Sequence, residues 1–252
     1  MLKKNDEIQL TVKGCTVQGS GVCDYNGMTV FVRGAVTGDH VLAHIIKVKK
    51  TYAVGIIKKI TQRSPIRIKP QCAVSEKCGG CCFAHISYDA ELEIKQTQVE
   101  DNFKRIGGLD VEIKPIIPSP ESLRYRNKAQ YPVGSDGRFA SIGFYAPMTH
   151  RIIDCADCYL QPEDFRRIVD IFRDWIREKK ISTYDEASGK GLLRHIYIRK
   201  GFATGEIMVC LVANGREVPF IDELVGMLKD EIDGLRSVIV NINTKNTNVV
   251  LG

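Results

Sequence analysis

Apolar and polar positions alternate through most of the first sixty residues. "EIQLTV" (7–12), "MTVFVRG" (28–34), "HVLAHIIKVKK" (40–50) and "YAVGIIKKI" (52–60) read as strands, the last two separated by a tight connection. "DYNGM" (24–28) reads as a hairpin turn, because Asn-Gly accepts positive φ at both central positions. Short strands punctuated by glycine predict a small closed barrel over 1–63, since closure removes the edges so small a sheet would leave exposed.

The period then becomes helical. Ser87 supplies a cap for a helix running to Ile106, Asp89 and Glu91 suit its positive end, and Lys104 and Arg105 suit its negative end. Gly107-Gly108 stops it, and Leu92, Val99, Phe103 and Ile106 form one stripe expected to face the core. The proline-rich "PIIPSPE" (115–121) leads into a second body. Strands are expected at 126–133, 141–145, 150–154, 192–200, 206–214, 237–243 and 248–252, with a hairpin turn at 201–205. Helices are expected at 162–180, opened by Pro162, and at 220–230. The class is α+β: an OB-like β-barrel over 1–63, a small cysteine-rich module with a helix over 64–109, and a central α/β subdomain over 110–252.

Charge sharpens this division. The chain carries a net +6, yet residues 1–63 hold ten Lys and Arg against four Asp and Glu, while 64–252 hold 26 of each. A basic module on a neutral body points to a nucleic-acid partner, because Lys and Arg near phosphates release condensed counterions. The candidates on the barrel are Lys13, Arg33, Lys47, Lys49, Lys50, Lys58 and Lys59. In "LRYRNK", Arg124, Arg126 and Lys128 alternate along an expected strand, which would put all three on one RNA-facing side. Tyr25 and Tyr52 are candidates to stack on unpaired bases, whereas Phe31 is assigned to the barrel core. The N-terminus has no apolar run of the signal-peptide kind, and no stretch is apolar for the length of a membrane span. The expected location is the cytoplasm, with no membrane partner.

Nine cysteines, an odd number and clustered, look like metal ligands in a compartment that keeps thiols reduced. Cys72, Cys78 and Cys81 lie in "CAVSEKCGGCCF", with Cys155 and Cys158 far downstream. Three close thiolates and a distant fourth suit an iron–sulfur cluster. Gly79 and Gly80 are expected to take positive φ and aim N–H groups at sulfur. Cys82 is expected to be a small buried hydrophobe, and His85 to pack. Two other readings stay open: a tetrahedral zinc held by Cys78, Cys81, Cys155 and Cys158, and a redox dithiol in "CGGC". Cys210, within an apolar strand, reads as core.

Five stretches, "CAVSEKCGGCCFAHISYDAELEIKQTQVEDNFKRIGG", "YRNKAQYPV", "IGFYAPMTHRIIDCADCYLQ", "GLLRHIYIRK" and "NINTKNTNVVLG", together resemble the 23S ribosomal RNA (uracil-5-)-methyltransferases. The resemblance implies that the barrel is a TRAM domain and that a four-iron four-sulfur (4Fe-4S) cluster is held by Cys72, Cys78, Cys81 and Cys158, with Cys155 the rival for the last place. It also implies a monomer whose partner is 23S rRNA. In that family a cysteine thiolate adds to C6 of a flipped-out uracil, C5 takes the methyl group of S-adenosylmethionine, and a base removes the C5 proton. None of these steps uses the iron, so the cluster's implied role is structural. The family continues into a Rossmann-like methyltransferase domain, whereas here no Gly-rich cofactor loop or catalytic residue is found before Gly252. The expectation is therefore an inactive fragment carrying the recognition half, with S-adenosylmethionine bound only by the full-length protein. The alternative is a zinc-stabilised RNA-binding adaptor without catalytic activity.

Overall fold

The structure is a computed structural model that describes residues 2–135, 137, 139–247 and 249–252. The chain divides into two units, one made of Met1–Gln71 with Cys81–Pro120 and the other of Cys72–Gly80 with Glu121–Gly252. The second boundary falls in the proline-rich stretch at 115–121.

In the first unit, β1 (Glu7–Thr11), β2 (Gly14–Cys15), β3 (Ser20–Tyr25), β4 (Met28–Arg33), β5 (His40–Val48) and β6 (Tyr52–Gln62) form one sheet in the order β1-β5-β6-β4-β3-β2. Its two edges, β1 and β2, are successive parts of one chain stretch, so the sheet curls until those edges meet at Val12 and Lys13. The inner face is apolar, with Val30, Val32, Val41, Ala43, Ile45 and Ala53 fully buried. The β3–β4 turn takes the expected geometry, with φ of 52° at Asn26 and 81° at Gly27. Strand β3 itself, "SGVCDY", was not foreseen, because Gly21 interrupts its apolar alternation.

Below the curl, Asp39 is fully buried against Arg67. Arg67 Nε and Nη2 donate to its carboxylate at 2.6–3.0 Å, and the Val36 and Ser64 N–H groups donate at 2.9 and 3.0 Å. Burial alone would raise the carboxyl pKa, but the Arg67 hydrogen bonds and charge, with the two backbone donors, outweigh it and hold it below the ordinary value.

Helix α1 (Tyr88–Asp101) starts as expected, with the Ser87 side chain accepting from Ala90 N at 3.3 Å. The expected core stripe is corrected. Val99, Phe103 and Ile106 are exposed, and the helix instead buries Ala90, with Ile94 beside it, against Val36, Phe83 and Ile86. Within α1 the buried side is set by Ala90 and Ile94 rather than by Leu92 and Val99, and a π-helical turn over Asn102–Ile106 shifts the phase further for Phe103 and Ile106.

In the second unit, β7 (Lys128–Ser135), β8 (Ala140–Tyr145), β9 (Ile152–Asp154), β10 (Leu193–Lys200), β11 (Ile207–Ala213) and β12 (Leu235–Ile242) form a sheet in the order β12-β11-β10-β7-β8-β9. All neighbours are antiparallel except β11 and β12, which are joined by α3 (Ile221–Glu231). Helix α2 (Glu163–Lys179) and α3 cover one face of this sheet, burying Phe165, Phe172, Trp175 and Leu228 over Tyr131, Ile196, Ile198 and Val209. Each such side chain contributes about 1.5–3 kcal/mol. Trp175 Nε1 donates to Phe220 O at 3.1 Å, which ties the two helices together. Residues 249–252 are not a strand, and Asn248 lies outside the described residues. Asn241 and Asn243 instead hold that tail through side-chain bonds to Gly252, Val249 and Val250.

Candidate functional site

Cys72 and Cys78 lie in consecutive tight turns, where Lys77 N and Cys78 N both donate to Val74 O, at 3.0 and 2.9 Å. Gly79 fixes this loop to β8 by donating its N–H to Tyr145 O at 2.9 Å. A Cβ at position 79 would sit 2.9 Å from that oxygen and 3.2 Å from Pro147 N, so a side chain there would push the loop off the strand. The expected positive φ at Gly79 and Gly80 is corrected, since neither has it. Gly79 serves close approach instead, while Gly80 N–H does face Cys78 Sγ at 3.4 Å.

The end of β9 brings the other pair. Cys155 N donates to Ile142 O at 3.0 Å, and the chain turns back so that Gln161 N donates to Cys158 O at 2.9 Å. Arg124 clamps this turn: its Nη1 reaches Asp157 Oδ1 at 2.8 Å and the carbonyls of Cys158 and Gln161 at 3.0 Å. The hydrogen bond to Asp157 holds the guanidinium pKa above its ordinary value. The expected strand alternation of Arg124, Arg126 and Lys128 is corrected. Arg124 has φ of 56°, the first two precede β7, and only Lys128 lies in it. Arg126 is exposed, with its backbone N–H bonded to Leu160 O.

Cys72, Cys78, Cys155 and Cys158 thus come within electrostatic reach of one another. Burial pushes the Cys155 thiol up to about 12, and charge on Cys158, Cys72 and Cys78 adds to the shift. Cys158 is also raised, by burial first, while the N–H groups of Leu160 and Gln161 oppose the shift. The two rivals for the last ligand differ in their hydrogen bonds. Cys155 Sγ donates to Asp157 O at 3.6 Å, whereas the backbone N–H groups of Leu160 and Gln161 favour the charged form of Cys158. A sulfur that accepts N–H groups is suited to carry thiolate charge, and one that donates is held as the thiol.

Among the described residues, no three His, Cys, Asp or Glu side chains stand close enough to hold a metal ion as placed. The donor chemistry nonetheless fits a cluster. Tyr131 Oη is buried without a hydrogen-bond partner, and its pKa is raised by burial and then by Cys158 and Cys155. An orphaned O–H beside thiols is a donor that a thiolate or sulfide would satisfy. Cys81 belongs to the first unit. Cys82 is exposed rather than buried, its Sγ 3.9 Å from Val17 O, which corrects the reading of it as core. His85 is half-buried as expected, with Nε2 unpartnered.

On the barrel, Val22, Phe31 and Val54 are successive cross-strand partners on the outer face, and Lys47 lies opposite Val54. Phe31 is therefore outside the core, in edge contact with Tyr52 at 5.8 Å between ring centroids, because Val30 and Val32 take the inward positions. Arg33 lies on this same face, and Lys49 and Lys50 lie in the β5–β6 turn beside it. Lys13 and Lys59 are exposed, while Lys58 is tied to Glu7 at 2.5 Å. Tyr25 is half-buried against the core.

No family model matches the chain. It is 42% identical over 251 residues to a protein of Clostridium tetani named an uncharacterized RNA methyltransferase, and 42% over 254 residues to one of the same description from Clostridium acetobutylicum. Each alignment covers the whole chain and 55% of the relative, so the chain spans about half the length of the curated relatives it matches. Among solved structures it is similar to the tRNA (uracil-54, C5)-methyltransferase of Pyrococcus abyssi bound to S-adenosyl-L-homocysteine. That likeness has a TM-score of 0.72 and 25% identity, and covers 96% of this chain and 53% of the other.

Proposed function

We propose that this chain is the RNA-recognition and cluster-binding part of an S-adenosylmethionine-dependent methyltransferase that makes 5-methyluridine in 23S rRNA in the cytoplasm. The likeness to a uracil-5 methyltransferase over 96% of the chain carries the reading. The 4Fe-4S ligands are Cys72, Cys78, Cys81 and Cys158. The cluster's role is structural, and it gives no electron to the methylation. Around it, Gly79 seats the loop on β8, Arg124 fixes the carbonyl of Cys158, and Tyr131 offers its O–H to sulfur. The curled sheet acts as a TRAM domain, meeting phosphates with Arg33, Lys47, Lys49 and Lys50 and bases with Phe31 and Tyr52. Methyl transfer belongs to the longer protein, and no residue of this chain is assigned to it.

Transfer RNA is a second reading, favoured by the Pyrococcus enzyme. A protein named for tRNA matches nearly the whole chain, barrel included.

Two measurements test the reading. Purified without oxygen, the chain should carry about four iron atoms. Cys158→Ser should lose them and Cys155→Ser retain them, while a colourless protein with zinc supports the adaptor instead. Methyl transfer by the longer protein to 23S rRNA but not to tRNA, or the reverse, decides the substrate.

A further inference from the structure

Helices α2 and α3 cover one face of the second unit's sheet; among the described residues of that unit no helix lies on the other face. Strand register fixes what that face presents. On β10, Ile196 and Ile198 point to the helices, so His195, Tyr197 and Arg199 point away. Their partners on β7 are Pro132, Gln130 and Lys128, and on β11 they are Val212, Cys210 and Met208. On β12 the same rows continue to Asn241, Ile239 and Ser237. Of these positions Pro132, Cys210 and Val212 are buried and the rest are partly or fully exposed.

Three properties of this face point to one kind of occupant. First, these twelve positions include no Asp or Glu. Second, Lys128 and Arg199 are directly opposite each other, both exposed, and neither pairs with a carboxylate among the described residues. Like charges directly opposite on adjacent strands destabilise a sheet, and an anion between them reverses that cost. Third, the half-buried Tyr197 ring lies one position along β10's outward row from Arg199, flanked by the Gln130 amide and, two strands away, the exposed Ile239. Beyond Arg199 the surface drops into an open depression of about 240 Å³ lined by Met208, Thr204, Glu206 and Arg236, where the single carboxylate is paired with Arg236 at 3.1 Å. Paired cations, an aromatic ring and an amide at strand spacing match a phosphate, a base face and a base edge.

We propose that the helix-free face of this sheet is a second RNA-binding surface, separate from the barrel. It takes an unpaired nucleotide with the phosphate between Lys128 and Arg199, the base on Tyr197 and the base edge at Gln130. This inference rests on the reading of the chain as an RNA-recognition part.

The test is binding of a fluorescent single-stranded uridine-rich decamer to the 252-residue chain, followed by anisotropy over a salt series. Tyr197→Ala should weaken binding by about fivefold to a hundredfold, and Tyr197→Trp should restore it. Lys128→Glu with Arg199→Glu should weaken binding and flatten its salt dependence, with the circular dichroism spectrum unchanged. Wild-type affinity in all of these variants, while Lys47→Glu weakens binding, overturns this surface and leaves the RNA reading intact. If neither the barrel nor the sheet variants change affinity, both fail. Slower amide exchange along the edge strand β12 in the longer protein without RNA than in the 252-residue chain assigns the face to polypeptide and also overturns the proposal.

Discussion

Asp39 shows how one buried residue can hold a fold together. Its carboxylate has no exposure and is satisfied by Arg67 and two backbone donors. Removing it would leave the Arg67 guanidinium buried and unpaired, so Asp39→Ala should cost about 3–5 kcal/mol in urea unfolding. The sign with pH follows from the depressed carboxyl. Its stabilisation is complete above the unfolded value near 3.8 and is lost as pH falls through the lower folded value. Asp39→Asn should therefore flatten the acid limb of a stability–pH curve, and an unchanged limb would contradict this account. Neither residue stands out in the sequence, because Asp39 sits in a glycine-marked turn and Arg67 in a proline-bracketed connector. Only a tertiary contact pairs them.

At the scale of elements, strands with one buried face were legible where that row is apolar, whereas β3, whose buried row holds Gly21, was not. "MTVFVR" shows the limit. Its period is plain, but periodicity does not say which set faces inward, and the larger Phe31 was assigned to the core that Val30 and Val32 occupy. The same ambiguity hid the helix-free face of β10, although the alternation in "RHIYIRK" was its signal. Helix α1 was legible from its cap, while its stripe misled because the small Ala90, not the larger Leu92 and Val99, faces the core. The cysteine spacing predicts that distant thiols converge, and Cys72, Cys78, Cys155 and Cys158 do come within electrostatic reach of one another. The choice between Cys155 and Cys158 is not legible in the spacing, because the two lie three residues apart. The turn around Gly79 gives a test at this scale. Gly79→Ala should lift the loop from β8 and lower bound iron by at least about half, whereas Gly80→Ala, whose Cβ would be 3.4 Å from Cys78 Sγ, should be milder. Equal iron content in both variants would argue against the flush packing as the cause.

For the whole molecule, the excess positive charge lies in the first 63 residues, so RNA affinity of this chain should be dominated by the curled sheet and fall steeply with salt. Replacing Lys47 and Lys49 together by Glu should lower the slope of log K against log salt by about 1.4 on single-stranded RNA, the value for two phosphate contacts. An unchanged slope would mean that these lysines are merely solvated.

The discontinuous partition of the chain bears on how the protein is made. Residues 72–80 belong with a unit whose remaining members begin at Glu121. On the ribosome this loop emerges long before Tyr145, its anchor on β8, has been synthesised. The curled sheet is complete in sequence by then, so the cysteine turn must wait as a tethered, reduced loop until the later strands arrive. On the proposed cluster reading metal loading is therefore a late event in biogenesis, and a single protease cut near Pro120 would leave this loop covalently attached to the wrong half.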